Sequence, residues 1–213
     1  MRQFDDLARE ARTAQDSTTL RDGLQRIVAQ CQGIESALLE LYGKFEATVA
    51  GPIFWPELST IQSPADDDEA GKVFPVSFHF PASLVAHVLT TYWSTVMAVH
   101  YQLMCAHSGL AMVDASLATG TGEVECSHAR RAREHREKWI AMVRNICQSV
   151  EYLTRDSAGE FGSFALLPSL GGCIRVLREG AGGECRREER WMVDVLVGIK
   201  RRLNLPENNV MED

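Results

Sequence analysis

The chain has 213 residues, 45% of them hydrophobic and 24% charged, which is enough for one substantial core and excludes a disordered tail. A net charge of −7 excludes a chain that binds nucleic acid over its whole surface, because phosphate binding needs clustered Lys and Arg. The first residues, MRQFDDLARE, lack the apolar segment of a secretory signal. We therefore interpret the six cysteines as free, mostly buried thiols and not as a disulfide framework.

Two helices are predicted in the first 47 residues. Residues 3–14 form a short polar helix within a loosely ordered segment, 1–17. A long helix follows, and the polar side chains of residues 16–18 are suited to cap its first turn. Gly23 and Gly33 each weaken this helix by about 1 kcal/mol relative to Ala, so a break near Gly33 stays open. Apolar residues recur along it at intervals of three and four, and they predict one buried stripe: Leu20, Leu24, Ile27, Cys31, Ile34, Leu38, Leu41 and Phe45.

The segment from Gly51 to Pro81 differs in composition from the helices around it. It holds five of the seven prolines and an acidic run, Asp66 to Glu69. Proline removes an amide donor and moves the residue before it toward extended conformations, so we expect a loop here. Its large aromatic side chains predict that the loop is ordered and is held against the helices.

Helices again dominate the sequence after the loop. A charge-free central helix is predicted from Ala82 to about Ser108, followed by a Gly/Thr/Ser-rich loop over 109–128. Further helices are expected over 129–155, in a shorter segment that closes at Gly180, and in the segment CRREERWMVDVLVGIKRRL, with a polar tail over 206–213. No alternating strand of convincing length is present. The sequence predicts an all-α, single-domain helical bundle of about five to seven helices, spanning residues 1–213, with a long ordered proline-containing loop.

The central helix is long enough to cross a membrane, but its composition argues against this. The candidate span, Ala82 to Ala106, contains two His and a Gln, and no Lys- or Arg-rich flank anchors either end. A stripe of small and polar residues along it favours close contact with another helix. The alternative is that the stripe lines a cavity for a small molecule, in which case the candidate ligand-binding residues are His87, Thr91, Tyr92, Trp93 and Ser94.

Three segments together resemble a known family. They are PADDDEAGKVFPVSFHFPASLVAHVLTTYW, with its Tyr-Trp pair, then NICQSVEYL, and finally CRREERWMVDVLVGIKRRLNLP. In order and spacing they resemble the C-terminal regulatory domain of fungal zinc-cluster transcription factors, from about Leu38 to Leu205. The segment TRDSAGEFGSFALLPSL departs from the family, which has a longer Gly- and Leu-rich passage there.

The resemblance implies a helical, non-catalytic domain in the nucleus that senses a small-molecule effector or a protein partner. By changing its dimerisation or its contact with a co-regulator, such a domain gates transcription. The family reads DNA through an N-terminal six-cysteine cluster with two zinc ions, and closely spaced cysteines of that kind are absent here. We therefore expect no direct DNA contact from this chain.

The remaining motifs favour neither a metal nor a catalytic site. Cys126, His128 and His135 offer three metal ligands, but a fourth is missing and Lys and Arg surround His135, so we predict no metal. The basic cluster over 130–138 is interleaved with Glu134 and Glu137, which is typical of a solvated helix start. No nucleophile motif and no phosphate-binding glycine loop occurs, so we predict no catalytic residue and no cofactor.

Three functional hypotheses follow. The first is the regulatory domain that the resemblance implies. The second is a stand-alone helical protein, in the cytoplasm, that binds a small molecule or acts as an enzyme of secondary metabolism through a pocket around the central helix. The third is an interaction module that forms a homodimer through the helix over 19–47.

Overall fold

The computed structural model describes residues 2–66, 69, 71–117 and 127–206. The predicted all-α class is confirmed, since helices make up most of this part of the chain. The helices are α1 (Arg2–Glu46), α2 (Ser83–Leu117), α3 (Ser127–Gln148), α4 (Val150–Thr154), α5 (Gly159–Gly180) and α6 (Arg186–Arg202), with a 3₁₀ turn at Asp156–Ala158 between α4 and α5. No helix in the described ranges combines the length and the apolar composition that a membrane-spanning segment requires.

The proline-containing loop carries two short strands that the sequence did not predict. β1 (Trp55–Leu58) pairs antiparallel with β2 (Val76–His79) in a two-stranded sheet. Each strand has only four residues, which is too few for an alternating pattern to stand out in the sequence.

The helix boundaries differ from the prediction in three places. α1 is one uninterrupted helix, so neither a separate N-terminal helix nor a break at Gly33 is present. α2 continues past Gly109, where the side chain of Leu24 lies 3.0 Å from the position a Cβ would take. The predicted helix over 129–155 is divided at Ser149, whose hydroxyl donates to the carbonyl of Asn145, a bond that bends helices. Residues 118–126 and most of the predicted polar tail lie outside the described residues.

The chain divides into two compact units, and the single-domain prediction stays a prediction. Unit 1 comprises residues 1–38 and 98–139, and unit 2 comprises residues 39–97 and 140–213.

The core of unit 1 corrects the predicted stripe on α1. Cys31 packs with Val99 and Leu103 of α2, and Val28 and Leu38 pack against this cluster. Other members of the predicted stripe are exposed to between 40% and 60%: Leu20, Ile27, Ile34 and Leu41. A set of residues spaced by threes and fours covers two neighbouring lines on a helix, and only one of the two lines faces α2.

The core of unit 2 is aromatic and holds the proline-containing loop in place. The rings of Phe54, Phe78 and Phe80 surround the buried Trp93, with centroids 5.6 to 6.4 Å from its ring. The loop is also anchored at Glu151 of α4, whose carboxylate accepts hydrogen bonds from Ser59 Oγ and from the backbone amide of Thr60, both at 2.9 Å. The described part of the loop is therefore ordered against the helices, as its aromatic content predicted.

Candidate functional site

The five residues predicted to bind a ligand lie in unit 2 and have different neighbours. Trp93 is buried in the aromatic core, and the ring of Tyr92 packs on that of Tyr42 at 4.9 Å. Ser94 Oγ donates to the carbonyl of Thr90 and lies 2.9 Å from Ser169 Oγ, while Thr91 is exposed. Trp93 and Tyr92 are thus engaged in packing and Ser94 in hydrogen bonding, while Thr91 faces solvent.

His87 is the fifth of these residues, and it differs from the others. Its ring meets Phe161 edge-on at 5.4 Å, and its Nδ1 atom is buried without a hydrogen-bond partner. A buried polar atom without a partner is uncommon in folded proteins. The small-molecule hypothesis therefore stays a prediction, with His87 as its main support.

Unit 1 contains a cluster of histidines that the sequence interpretation missed. His100 and His107 lie seven residues apart on α2, and His128 and His135 lie seven residues apart on α3. Seven residues make about two helical turns, so each pair occupies one face of its helix. The matched spacing was the available signal, but the sequence placed His128 at the end of the predicted loop over 109–128 and not in a helix. We call the four residues the histidine cluster.

The four imidazoles form a continuous row. Nδ1 of His100 lies 3.1 Å from Nδ1 of His135, and Nδ1 of His107 lies 3.0 Å from Nδ1 of His128. The rings of His107 and His135 stack between these two pairs, 5.5 Å apart and within 4° of parallel. His100 and His107 are buried, whereas His128 and His135 are half-buried.

A carboxylate stands at each end of the row. Glu35 Oε1 of α1 lies 3.6 Å from Nε2 of His100, and Asp114 Oδ2 lies 4.0 Å from Nε2 of His128. Each carboxylate also faces a cation, Lys138 at 3.8 Å for Glu35 and Arg21 at 3.1 Å for Asp114. Two similar chains result. One runs from Glu35 through the outer ring of His100 to the inner ring of His135, and the other runs from Asp114 through the outer ring of His128 to the inner ring of His107.

These partners assign the tautomers of the outer and inner rings. The carboxylates favour a proton on Nε2 of His100 and of His128, which leaves the Nδ1 atom of both rings as an acceptor. His135 and His107 must then donate from Nδ1, and their Nε2 atoms carry no proton. Nε2 of His107 is indeed buried without a hydrogen-bond partner. This agrees with the assignment, because an Nε2 atom without a proton needs no acceptor. An N–H group at the same buried position would lack one.

The surroundings of His100, His107 and His135 disfavour protonation of these rings. Burial lowers the pKa of His107 to about 4, with smaller contributions from the charges of His128, His135 and Arg131. Burial also lowers the pKa of His100, which Glu35 opposes and Lys138 reinforces. Burial likewise lowers the pKa of His135, and the charges of His100 and Lys138 lower it further. These three rings are therefore neutral at pH 7.

The cluster does not form a multidentate metal centre. Among the described residues, no group of three or more His, Cys, Asp or Glu is arranged to hold a metal ion. Cys126, the sulfur ligand considered in the sequence, lies outside the described residues. His128 and His135 belong to α3, and each pairs with a histidine of α2.

The three buried cysteines of the described residues are thiols with little nucleophilic character. Cys31, Cys147 and Cys173 are buried, and burial raises the pKa of each thiol above its ordinary value. Thiolate is the nucleophilic form of cysteine, so these groups are unreactive near neutral pH.

Comparison with protein-family models, with curated proteins and with solved structures finds no match to this chain.

Proposed function

We propose that this chain is a non-catalytic regulatory domain of a fungal transcription regulator of the zinc-cluster type, acting in the nucleus, and that its histidine cluster senses acidification. The three family-like sequence segments support the first part of the proposal. One structural observation carries the second part, namely the pair of Nδ1–Nδ1 contacts at 3.0 and 3.1 Å between α2 and α3.

Each of these contacts exists only while the two Nδ1 atoms share one proton. A neutral imidazole offers one donor and one acceptor, whereas a protonated imidazole offers two donors. When both rings of a pair are protonated, two N–H groups and two positive charges face each other. The hydrogen bond is then replaced by repulsion, and α2 separates from α3 locally.

Charged groups around the cluster act on the protonation of its rings. Arg131 and Lys138 of α3 disfavour charge on the inner rings and on His100, while Glu35 of α1 favours charge on His100. Asp114 of α2 stands 4.0 Å from His128 at the other end of the row. Burial and these charges make the buried His107 resist protonation, with a pKa of about 4, and the contact between the helices weakens as pH falls toward that value.

The direct test of sensing is hydrogen exchange of the α2 and α3 amides at pH 7.5 and pH 5, corrected for the intrinsic effect of pH on exchange. We expect the corrected protection of both helices to fall at pH 5 in the natural chain. The variant H107Q/H135Q removes both inner rings and should show no such change, whereas H79Q, in unit 2, should behave like the natural chain. Equal protection at the two pH values in the natural chain would refute the sensing role.

The regulatory role has its own test. The chain is fused to an unrelated DNA-binding module, and transcription of a reporter is measured in cells buffered internally at pH 7 and at lower pH. We expect reporter output to depend on the fused chain, and the dependence on pH to be absent in H107Q/H135Q. Output equal to that of the DNA-binding module alone would contradict the regulatory role, whatever the exchange experiment shows.

A further inference from the structure

We propose that Ser63 is a phosphorylation site for a proline-directed protein kinase, and that its phosphate releases the proline-containing loop from α6. The site lies wholly within unit 2, on the segment that follows β1. It is independent of the histidine cluster, and it adds a covalent control that depends on ATP.

The first observation is the sequence around Ser63. The chain has seven prolines, and only Pro64 directly follows a serine or a threonine. Proline has no N–H group, and it moves the residue before it toward extended conformations. A kinase whose substrate groove accepts proline directly after the acceptor residue therefore finds one such position in this chain, the hydroxyl of Ser63.

The second observation is that the segment around Ser63 lies at the surface in an irregular conformation. Residues 59–63 belong to neither a helix nor a strand. Gln62 and Pro64 are exposed on either side of Ser63, which is itself half-buried. A kinase binds its substrate as an extended segment, and a surface loop supplies such a segment without the unwinding of a helix.

The third observation concerns the groups that face Ser63. Its Oγ atom donates to Oδ2 of Asp194 on α6 at 3.3 Å, and it accepts from the backbone amide of Ala65 at 3.1 Å. The backbone amide of Ser63 donates to Oδ2 of Asp66 at 2.9 Å. Two carboxylates therefore face the acceptor residue, one from α6 and one from the loop itself.

Transfer of a phosphoryl group turns the attraction between Ser63 and Asp194 into repulsion. The bond between the γ-phosphorus and the bridging oxygen of ATP breaks, a bond from that phosphorus to Ser63 Oγ forms, ADP leaves, and the hydroxyl proton passes to the base of the kinase. The Oγ atom then has no proton to donate, and the phosphate brings a charge of about −1.5 to −2 at pH 7. Like charges held this close repel, so the loop separates from α6 at this point.

Asp66 connects the phosphorylation site to the far end of the loop. Its other oxygen, Oδ1, accepts from the backbone amide of Val73 at 2.9 Å. The neighbouring Lys72 donates from Nζ to the carbonyls of Ser59 at 2.7 Å and of Ile61 at 2.9 Å. Repulsion of the Asp66 carboxylate therefore loosens both ends of the loop and frees the side chain of Lys72.

Phosphorylation of the full chain tests the site. The chain is incubated with ATP and a purified mitogen-activated protein kinase, and mass spectrometry locates the phosphate. We expect phosphate on Ser63 in the natural chain and none at this position in P64A. Q62A changes the exposed neighbour on the other side and should be phosphorylated like the natural chain. An unmodified Ser63 in the natural chain, or equal phosphorylation of P64A, would refute the proposal.

A second kinase distinguishes recognition of Pro64 from recognition of the acidic run. The sequence from Asp66 to Glu69 also suits a kinase that reads acidic residues after the acceptor. The same incubation is therefore repeated with a purified acid-directed kinase. We expect slower transfer to Ser63 by this enzyme than by the proline-directed one, and the reverse order would refute recognition through Pro64.

Limited digestion with trypsin tests the release of the loop. We expect cleavage after Lys72 to be at least about tenfold faster in the phosphorylated chain, because hydrogen bonds to carboxylates that correspond to a factor of this size are lost. Cleavage after Arg175, which is exposed on α5, reports unfolding of the helices and should not change.

D194N is the matched variant for the release. It removes one of the two facing charges, so phosphorylation should accelerate cleavage after Lys72 less than it does in the natural chain. An equal acceleration in D194N would show that repulsion from α6 is not the cause. An unchanged cleavage rate in the natural chain would refute the release, and so would a slower rate, which would mean that the phosphate binds Lys72.

Discussion

At the scale of single residues, Glu151 shows how one side chain holds an irregular segment in place. Burial raises the pKa of this carboxyl, but the hydrogen bonds from Thr60 and Ser59 outweigh it, so the net pKa is lowered. The charged form is therefore the one that anchors the loop. Hydrogen bonds to charged groups contribute more to stability than neutral ones.

We expect E151Q to lower the free energy of unfolding by about 1.5–3 kcal/mol, because an amide cannot accept from all of these donors at once. The measurement is urea denaturation at pH 7. E137Q is the matched control, since Glu137 is exposed on α3, and it should change stability by less than about 0.5 kcal/mol. An effect of E151Q no larger than that of E137Q would show that this carboxylate does not anchor the loop.

At the scale of the secondary-structure elements, the junction of α4 and α5 depends on a glycine. A Cβ at Gly162 would lie 2.2 Å from the carbonyl oxygen of Leu153, so α5 approaches the end of α4 more closely than any other residue type permits. Gly171 lies on the same helix but is exposed, and a Cβ there would meet nothing within 4 Å.

We expect these two glycines to respond in opposite directions to the same substitution. G162A should destabilise the protein by about 1–3 kcal/mol, since the helix must shift to accommodate the methyl group. G171A should stabilise it by up to about 1 kcal/mol, because alanine is the better helix former. Thermal denaturation followed by circular dichroism measures both, and a stabilising G162A would show that α4 and α5 are not in tight contact.

α1 shows at the same scale what a periodic pattern does and does not determine. The spacing of its apolar residues predicted a helix, and α1 is a helix throughout. The spacing did not show that Cys31 packs inward while Ile27 and Ile34 remain exposed, because both lines fit the same intervals of three and four. Which line is buried depends on where α2 lies, and that is a tertiary contact.

At the scale of the whole molecule, the histidine cluster makes stability depend on pH. The pKa of His107 in the folded state, about 4, is below the ordinary value of 6.5, so the unfolded chain binds more protons between these values. Its contribution is fully present above pH 6.5 and is lost as pH falls toward 4. The lowered pKa of Glu151 affects stability at lower pH, below the ordinary carboxyl pKa of 4.5.

We expect His107 alone to remove about 2 kcal/mol from the free energy of unfolding between pH 7.5 and pH 5. Urea denaturation at both pH values measures this loss, and the range avoids the titration of Glu151. H107Q cannot titrate, so its loss over the same range should be smaller by that amount. An equal loss in H107Q and in the natural chain would show that His107 is not buried in its neutral form.

The sequence by itself determined the helical class, the approximate position of most helices and the order in the proline-containing loop. Local propensity, apolar periodicity and proline chemistry act between residues close in the chain, so these features can be recognised without a partner. The central helix was also correctly distinguished from a typical membrane segment by its polar residues and missing cationic flanks.

Only the tertiary structure decided where the candidate site lies. His100 and His107 of α2 meet His135 and His128 of α3 because the two helices bring them together in reverse order, and Glu35 joins from α1. Taken alone, none of these histidines differs in sequence from a histidine without a functional role. Trp93, which was predicted to bind a ligand, lies in an aromatic core. Burial, pairing and lowered pKa arise from contacts between residues distant in the chain, which no local pattern specifies.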